Sequence, residues 1–379
     1  MPQRILCAPD SFKGSLSAVE AAQAMAKGIR RTLPDAEIDQ CPVADGGEGT
    51  VEAMIAATQG ELRHTQVMGP LGQTVRASWG LLGMAPTKPK TAVLEMAAAS
   101  GLTLVPTAER NPMGTTTYGT GQLLAAALDA DATRILLGLG GSATNDGGCG
   151  MAMALGVKFW DKTGAIQAPI TGELLQQIER VDVTGIDPRL GRAELLGLCD
   201  VQNPMTGPQG AAHTYGAQKG ATKAQVRQLD AALRHLAELF RQQLGIDVEH
   251  EPGAGAAGGM GGGLLAFTSA RLRSGIELVL EHAGFDERVR SSDLCLTGEG
   301  RLDGQSAFGK ACVGVARAAG RHGVKTLALV GSTGPGVEQC LRAGLCGYEI
   351  IGQGLPESES MSRAAELLAS AVLRVVEQA

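Results

Sequence analysis

Short apolar runs that each end in a glycine-rich polar turn recur along this chain, and that rhythm confines it to the α/β class. The turns are residues 10–15 (DSFKGS), 45–50 (DGGEGT), 140–148 (GGSATNDGG) and 298–310 (GEGRLDGQSAFGK). Glycine lets a backbone approach phosphate oxygens and aim its N–H groups at them. Carboxylates nearby can hold Mg²⁺, and a lysine can neutralise a phosphoryl group. Four such turns in one chain point to a site for a phosphorylated ligand, with a kinase as the first reading.

The 379 residues are enough for about two or three domains. Hydrophobic residues make up 44% of the chain, but aromatic residues only 3%. Aliphatic side chains and 54 glycines must therefore fill the interior, which suits helices packed closely on sheets. A net charge of −6 with no long basic run argues against nucleic acid or an anionic membrane as partner. An anionic substrate would need local Lys, Arg or helix N-termini. The start, MPQRILCAPD, lacks the apolar stretch of a signal peptide, so a cytoplasmic protein is expected. The eight cysteines form no C-x-x-C pair and the six histidines have no metal-ligand spacing, so buried free thiols and solvated histidines are expected.

Residues 4–8 form an apolar run suited to a buried strand. Ser17 and Glu20 have capping-box spacing, and Ala18, Ala22, Met25 and Ile29 follow at helical intervals. Residues 38–43 repeat the strand, and Val51, Met54, Ile55 and Thr58 mark the next helix. The pattern then changes to antiparallel strands at 64–69, 74–83 and 91–97, with a linker at 86–90. A helix at 120–130, a strand at 134–139, a helix at 148–155, a short strand at Phe159 and Trp160, a strand at 194–199 and a long helix at 223–244 follow. Residues 253–263, with seven glycines, allow a flexible tip, a close-packed backbone crossing or a ligand loop. Strands at 293–297, 326–331 and 348–352 then alternate with helices at 310–321, at 337–343 and from about 360. Two strands at the start and three at the end suggest one parallel sheet split by an insertion. The expected order 2-1-3-4-5 puts the first polar turn at a topological switch point. The domains are then 1–61 plus 266–379, with an inserted α/β domain at 62–265.

Residues 304–311 (GQSAFGKA) nearly fit a P-loop, but Ala311 stands where Ser or Thr would meet Mg²⁺, and the loop starts well after the expected strand. Lys310 with the following helix N-terminus can bind phosphate in another geometry. Residues 138–143 (GLGGSA) resemble the GLGSSA loop of galactokinase-like kinases. The structural alternative places Asn145 in a left-handed turn and Asp146 at an N-cap. Asp45 and Glu48 fit a capping-box variant, yet Gly46, Gly47 and Gly49 are more glycine than a cap requires. Lys13 is either a phosphate ligand or an ordinary surface lysine. Glu299, Arg301 and Asp303 form the most polar loop of the carboxy-terminal half. Glu95 and Asp200 read equally as solvated edge residues.

Taken together, APDSFKGSLSA (8–18), PVADGGEGT (42–50), GLGGSATNDGG (138–148), CDVQNP (199–204), GAGAAGGMGGG (253–263) and LTGEGRLDGQSAFGK (296–310) resemble the glycerate kinase type-1 family, in family order over nearly the whole chain. The resemblance implies ATP-dependent phosphorylation of D-glycerate, at the 2-hydroxyl or the 3-hydroxyl, with the 2-hydroxyl preferred. It also implies a flavodoxin-like domain carrying an inserted second α/β domain. ATP and Mg²⁺ are the expected cofactors and D-glycerate the small-molecule partner; a homodimer is left open.

Roles for residues follow from their shared place at strand ends. Lys13, Asp45, Asp200 and Arg301 are the catalytic candidates, with Asp45 and Asp200 also the candidates for Mg²⁺. Ser11, Ser15, Gly46, Gly47, Glu48, Gly140, Gly141, Ser142, Thr144, Asn145, Asp146, Glu299, Asp303 and Lys310 are the candidates for substrate or phosphate. Two rivals stand beside this reading: a kinase for another small hydroxy acid, and a non-catalytic two-domain ligand-binding protein.

Overall fold

A computed structural model describes residues 3–83, 87–308 and 310–376. Pro86 of the expected linker and Gly309 of the 304–311 loop lie outside the described residues. The chain divides into two compact units. One comprises Met1–Asp45, Glu52–Gly60 and Ser274–Ala379; the other comprises Gly46–Val51 and Glu61–Arg273.

The first unit is built on a parallel five-stranded sheet. Its strands lie in the order Gly347–Ile350, Lys325–Thr333, Leu294–Leu302, Arg4–Pro9, Glu37–Gln40. Numbered along the chain, that order is the expected 2-1-3-4-5. The strand Arg4–Pro9 is buried from Ile5 onward, the pattern of a strand covered on both faces. The helix Ala18–Thr32 opens with the full capping box: Ser17 Oγ accepts from the Glu20 N–H, and Glu20 accepts from the Ser17 N–H. Such a cap contributes about 1 kcal/mol. The buried face of this helix, with Met25 and Ile29, packs with Leu368 and Val372 of the helix Ala364–Val376. Gly28 is required at the crossing, because a Cβ there would run into the Ala369 carbonyl.

One strand differs from its expected length. Leu294–Leu302 continues beyond residue 297, paired with Lys325–Thr333 as far as Leu302 opposite Thr333. Cross-strand pairing overrides the turn propensity of its glycines. Glu299 and Arg301 thus lie on the strand itself, and the 304–311 loop follows closely after it.

The second unit holds a six-stranded mixed sheet in the order Arg271–Arg273, Glu194–Leu198, Arg134–Gly138, Thr91–Glu95, Thr74–Leu81, Glu61–Met68. The last three are joined antiparallel, and the rest of the sheet is parallel. A small sheet of Gly164–Ala165, Lys158–Asp161 and Arg180–Asp182 lies apart from it. Phe159, Phe240 and Phe267 meet edge to face in the adjoining core. The long helix runs Lys223–Leu239 and finishes as a π-helical segment, Phe240–Leu244, rather than as one α-helix.

The glycine-rich stretch 253–263 is buried almost throughout, so of its three readings the close-packed backbone crossing is the one observed. The helix Ala256–Phe267 contains a left-handed turn at Ala257 (φ 54°), Gly258 (φ 71°) and Gly259 (φ 87°). A Cβ on Gly258 would collide with the Thr144 carbonyl. Ala257 holds a conformation that costs an L-residue about 1–2 kcal/mol. Ala257→Gly should therefore raise stability by about 0.5–1 kcal/mol after the loss of unfolded-state restriction, whereas Gly258→Ala should lower it by on the order of 3 kcal/mol. Differential scanning calorimetry of both variants reads this directly. A destabilised Ala257→Gly would show that the turn is not strained.

Candidate functional site

In each unit the expected polar residues collect at the carboxyl ends of parallel strands. In the first unit the switch point lies between Arg4–Pro9 and Leu294–Leu302, where the Asp10 N–H donates to the Gly298 carbonyl at 2.8 Å. Asp10, just past the end of Arg4–Pro9, thus lies beside the stretch of the neighbouring strand that carries Glu299. Asp45 follows Val43, whose N–H donates to the Pro9 carbonyl. Burial is the main cause that raises the Asp10 carboxyl well above the usual carboxylate range. Asp45 and then Glu299 add to it, while the Ser11 N–H and Lys13 oppose it. Burial likewise pushes Glu299 up to about 7, helped by Asp45 and opposed by Ser306, Lys310 and Cys312. Glu299 Oε1 is buried without a hydrogen-bond partner.

Around this acidic edge stand the cations. Lys13 is exposed at the tip of a tight turn closed by the Leu16 and Phe12 backbones. Ser15 also serves that turn, donating its hydroxyl to the Phe12 carbonyl. Arg301 is exposed and pairs with Asp303 at 3.3 Å. Lys310 sits at the N-cap position of the helix Ala311–Gly320.

In the second unit Thr91–Glu95, Arg134–Gly138 and Glu194–Leu198 are parallel neighbours, with Glu95 and Leu198 both opposite Gly138. Their carboxyl ends bring Glu95, the loop 138–148 and Asp200 to one edge. The 46–50 loop packs there backbone on backbone. A Cβ on Gly138 would strike the Gly46 carbonyl, and one on Gly140 would lie 2.6 Å from Gly47 Cα. Two of the four glycine-rich turns, far apart in the chain, thus meet directly.

Along the 140–148 loop the side chains divide. Gly141 is exposed and Gly140 partly so, while Ser142, Thr144, Asn145 and Asp146 are buried. Asp146 accepts from the Thr117 N–H and hydroxyl, both at 2.7 Å, and from the Gly148 and Gly150 N–H groups at 3.2 Å. It holds the following turn in place, much as an N-cap does. Asn145 does not take the left-handed conformation; Gly147 and Gly148 do. The Thr144 hydroxyl and both amide atoms of Asn145 are buried without hydrogen-bond partners.

Two residues here escaped the sequence reading. Glu95 is not a solvated edge residue: its carboxylate accepts from the Val51 N–H at 2.8 Å, with the Gly49 and Thr50 N–H groups alongside. That contact falls in the first turn of the helix Thr50–Thr58, which begins further along the chain than an N-cap at Asp45 would place it. Burial, followed by the charge of Glu48, pushes Glu95 up to about 7 against those N–H groups. Lys219 gave no sequence signal, because it lies in a turn between helices. It is 2% exposed and donates to Ser142 Oγ and to the Thr144 carbonyl, both at 2.7 Å. Burial pushes it down to about 7, with Asp146 opposing.

Among the described residues no group of three or more His, Cys, Asp and Glu side chains could hold a metal ion, and no helix is long and apolar enough to cross a membrane. Comparison with known proteins matches residues 5–379 to the model of the Glycerate kinase family. The chain is 47% identical over 374 residues to a "Glycerate kinase" of Halalkalibacterium halodurans, covering 98% of this chain and 97% of that protein. It is 50% identical over 329 residues to a "Glycerate 2-kinase" of Escherichia coli K12, covering 87% and 85%. A crystal structure described as a glycerate kinase 2 from Salmonella typhimurium LT2 superposes with a TM-score of 0.85 at 42% identity, covering 100% of this chain and 98% of that one.

The burial of Glu95 sets a pH dependence of stability. Its folded-state pKa of about 7 lies above the ordinary 4.5, so its stabilising contribution is full at low pH, declines as pH rises from there and is lost above about 7. Glu95→Gln keeps an oxygen acceptor for the Val51 N–H but cannot ionise. The melting temperature of the variant relative to the parent should therefore rise by on the order of a few degrees between about pH 5 and about pH 8. A difference that stays constant across that range would show that Glu95 is ionised in the folded protein throughout.

Proposed function

We propose, on the premise that the chain belongs to the glycerate kinase family, that it transfers the γ-phosphoryl group of ATP to the 2-hydroxyl of D-glycerate. The observation that carries this at the level of the site is the 140–145 loop. Its crest is open at Gly141, and beneath it the polar atoms of Thr144 and Asn145 lack partners. A buried polar atom left unpartnered costs about 1–3 kcal/mol. Phosphate oxygens are acceptors that would engage the Asn145 amide and the Thr144 hydroxyl once the loop admits them. The choice of the 2-hydroxyl is supported by the printed name of the Escherichia coli relative.

Phosphoryl transfer asks for positioning and neutralised charge. The open backbone of Gly46, Gly47, Gly140 and Gly141, with Ser142 beside it, would receive the phosphates, and Glu48 borders the first pair. Lys13, at an exposed turn tip next to Ser11 and Ser15, would neutralise the transferring group. Arg301, aligned by Asp303, and Lys310 would meet the glycerate carboxylate. Glu299 feels the charge of both Lys310 and Asp45 and is a further candidate to meet substrate or phosphate.

The donors present fit Mg²⁺, a hard cation that needs only one or two protein carboxylates beside phosphate oxygens. Carboxylate oxygens gather at the first switch point, and one of them, Glu299 Oε1, is buried and unpartnered. Asp45 and Asp200 are the candidates for holding the ion or for taking the hydroxyl proton. When bound, Mg²⁺ neutralises charge on the β- and γ-phosphate oxygens.

The same reading assigns the sheet ordered 2-1-3-4-5 to a flavodoxin-like domain (1–61 plus 266–379) and residues 62–265 to an inserted domain, in a cytoplasmic enzyme. The division of the chain into two units supports it.

Phosphorus NMR without proton decoupling tests the reaction after incubation with ATP, Mg²⁺ and D-glycerate. A phosphate on the 2-hydroxyl couples to one proton and gives a doublet, whereas the 3-phosphate gives a triplet. A triplet refutes the regiochemistry, and no new ester with glycerate or related hydroxy acids refutes the kinase reading. Lys13→Ala should lower kcat on the order of a hundredfold, as loss of a preorganised donor does. An unchanged kcat in the folded variant removes Lys13 from the site.

A further inference from the structure

Lys219 has no part in the mechanism above, yet its placement is costly. It closes the short turn Ala217–Lys219 and is almost wholly enclosed. The next residue, Gly220 (φ 92°), lies against the Arg110 backbone, and a Cβ there would collide with the Arg110 carbonyl, so the turn is pinned. Both recorded partners of the ammonium are neutral: the Ser142 hydroxyl and the Thr144 carbonyl, each at 2.7 Å. Asp146 favours its charged form through space, but that carboxylate takes its hydrogen bonds from Thr117, Gly148 and Gly150 and none from Lys219. A buried ammonium on neutral partners is unfavourable unless an anion compensates it. An apolar side chain of the same length would fill the space without that penalty.

The two hydrogen bonds fall on alternate residues of one loop. They fix the direction of the Ser142 hydroxyl, whose oxygen accepts from Lys219 and whose proton is thereby left free to donate outward. They also fix the Thr144 peptide, and with it the two residues whose side-chain atoms lack partners. An anion at the open crest beside Gly141 would add to the negative charge that Asp146 supplies from within, and Ser142 would lie between that anion and the ammonium.

We propose that Lys219 is the positioning residue of the nucleotide-phosphate loop: it holds Ser142 and Thr144 in the conformation that receives the phosphates of ATP, and its charge reaches them through Ser142. This rests on the reading of residues 140–145 as the phosphate loop. The effect is specific to the nucleotide. Glycerate binding and the intrinsic rate of transfer at saturating ATP do not depend on it.

Lys219→Met keeps the length of the side chain and removes both donors and charge. Steady-state kinetics and calorimetric binding of ADP to the full chain should show KM for ATP and Kd for ADP raised at least about tenfold, with KM for glycerate within about twofold and kcat within about threefold. Lys219→Gln, which keeps donors but neither charge nor reach, should lie between. It decides the question alone if the methionine variant does not fold. Unchanged ADP affinity in a folded variant, or KM values for ATP and glycerate that rise together, overturns the proposal. Ser142→Ala and Asn145→Ala separate this from the underlying reading. If both leave ADP affinity unchanged, the loop is not the phosphate loop and both fall. If they weaken ADP binding while Lys219→Met does not, only the role of Lys219 falls.

Discussion

Backbone lying directly on backbone, with no room for a Cβ between, is the constraint on which the second unit rests. The approach of Gly138 and Gly140 to Gly46 and Gly47 joins two loops that the sequence separates widely. Gly258 makes the same kind of approach to Thr144 from the other glycine-rich stretch. A chain with only 3% aromatic residues has few bulky side chains to wedge its elements apart. It reaches close packing by removing side chains rather than by interlocking them. Each glycine makes the unfolded chain looser, so the folded contacts must be good to compensate. The result is a loop braced by main-chain contact and hydrogen-bonded to Lys219, with the Thr144 hydroxyl and the Asn145 amide left uncommitted.

What the sequence disclosed was local or periodic. The capping box at Ser17 and Glu20 appears as expected because both partners lie within one helical turn. The order 2-1-3-4-5 was legible because it puts the first polar turn at a topological switch point, where open parallel sheets bind their ligands. The antiparallel strands Glu61–Met68 and Thr74–Leu81 were legible from alternation and the turn between them. Glu95 was misread because its partners, the N–H groups of residues 49–51, are distant in sequence. The structural alternative for Asn145, a left-handed turn, is taken instead by the nearby Gly147 and Gly148, which adopt it at less cost. Lys219 was invisible for the same reason as Glu95: nothing in a lysine after a helical turn shows that it will be buried against a loop some seventy residues earlier.

Charge placement completes the argument. A chain of net charge −6 that handles a triphosphate and a carboxylate works against its own field, so the local arrangement has to decide. In the first unit burial favours the neutral forms of Asp10 and Glu299, which reduces the negative charge at the switch point. In the second unit the same force acts on a base, weakening Lys219 to a pKa of about 7. A phosphate close to it would favour the charged form. Burial therefore acts on opposite charges in the two units: it mutes negative charge in one and positive charge in the other, where a neighbouring phosphate would restore it. A surface lysine would already be charged and hydrated, and would gain little from the same encounter.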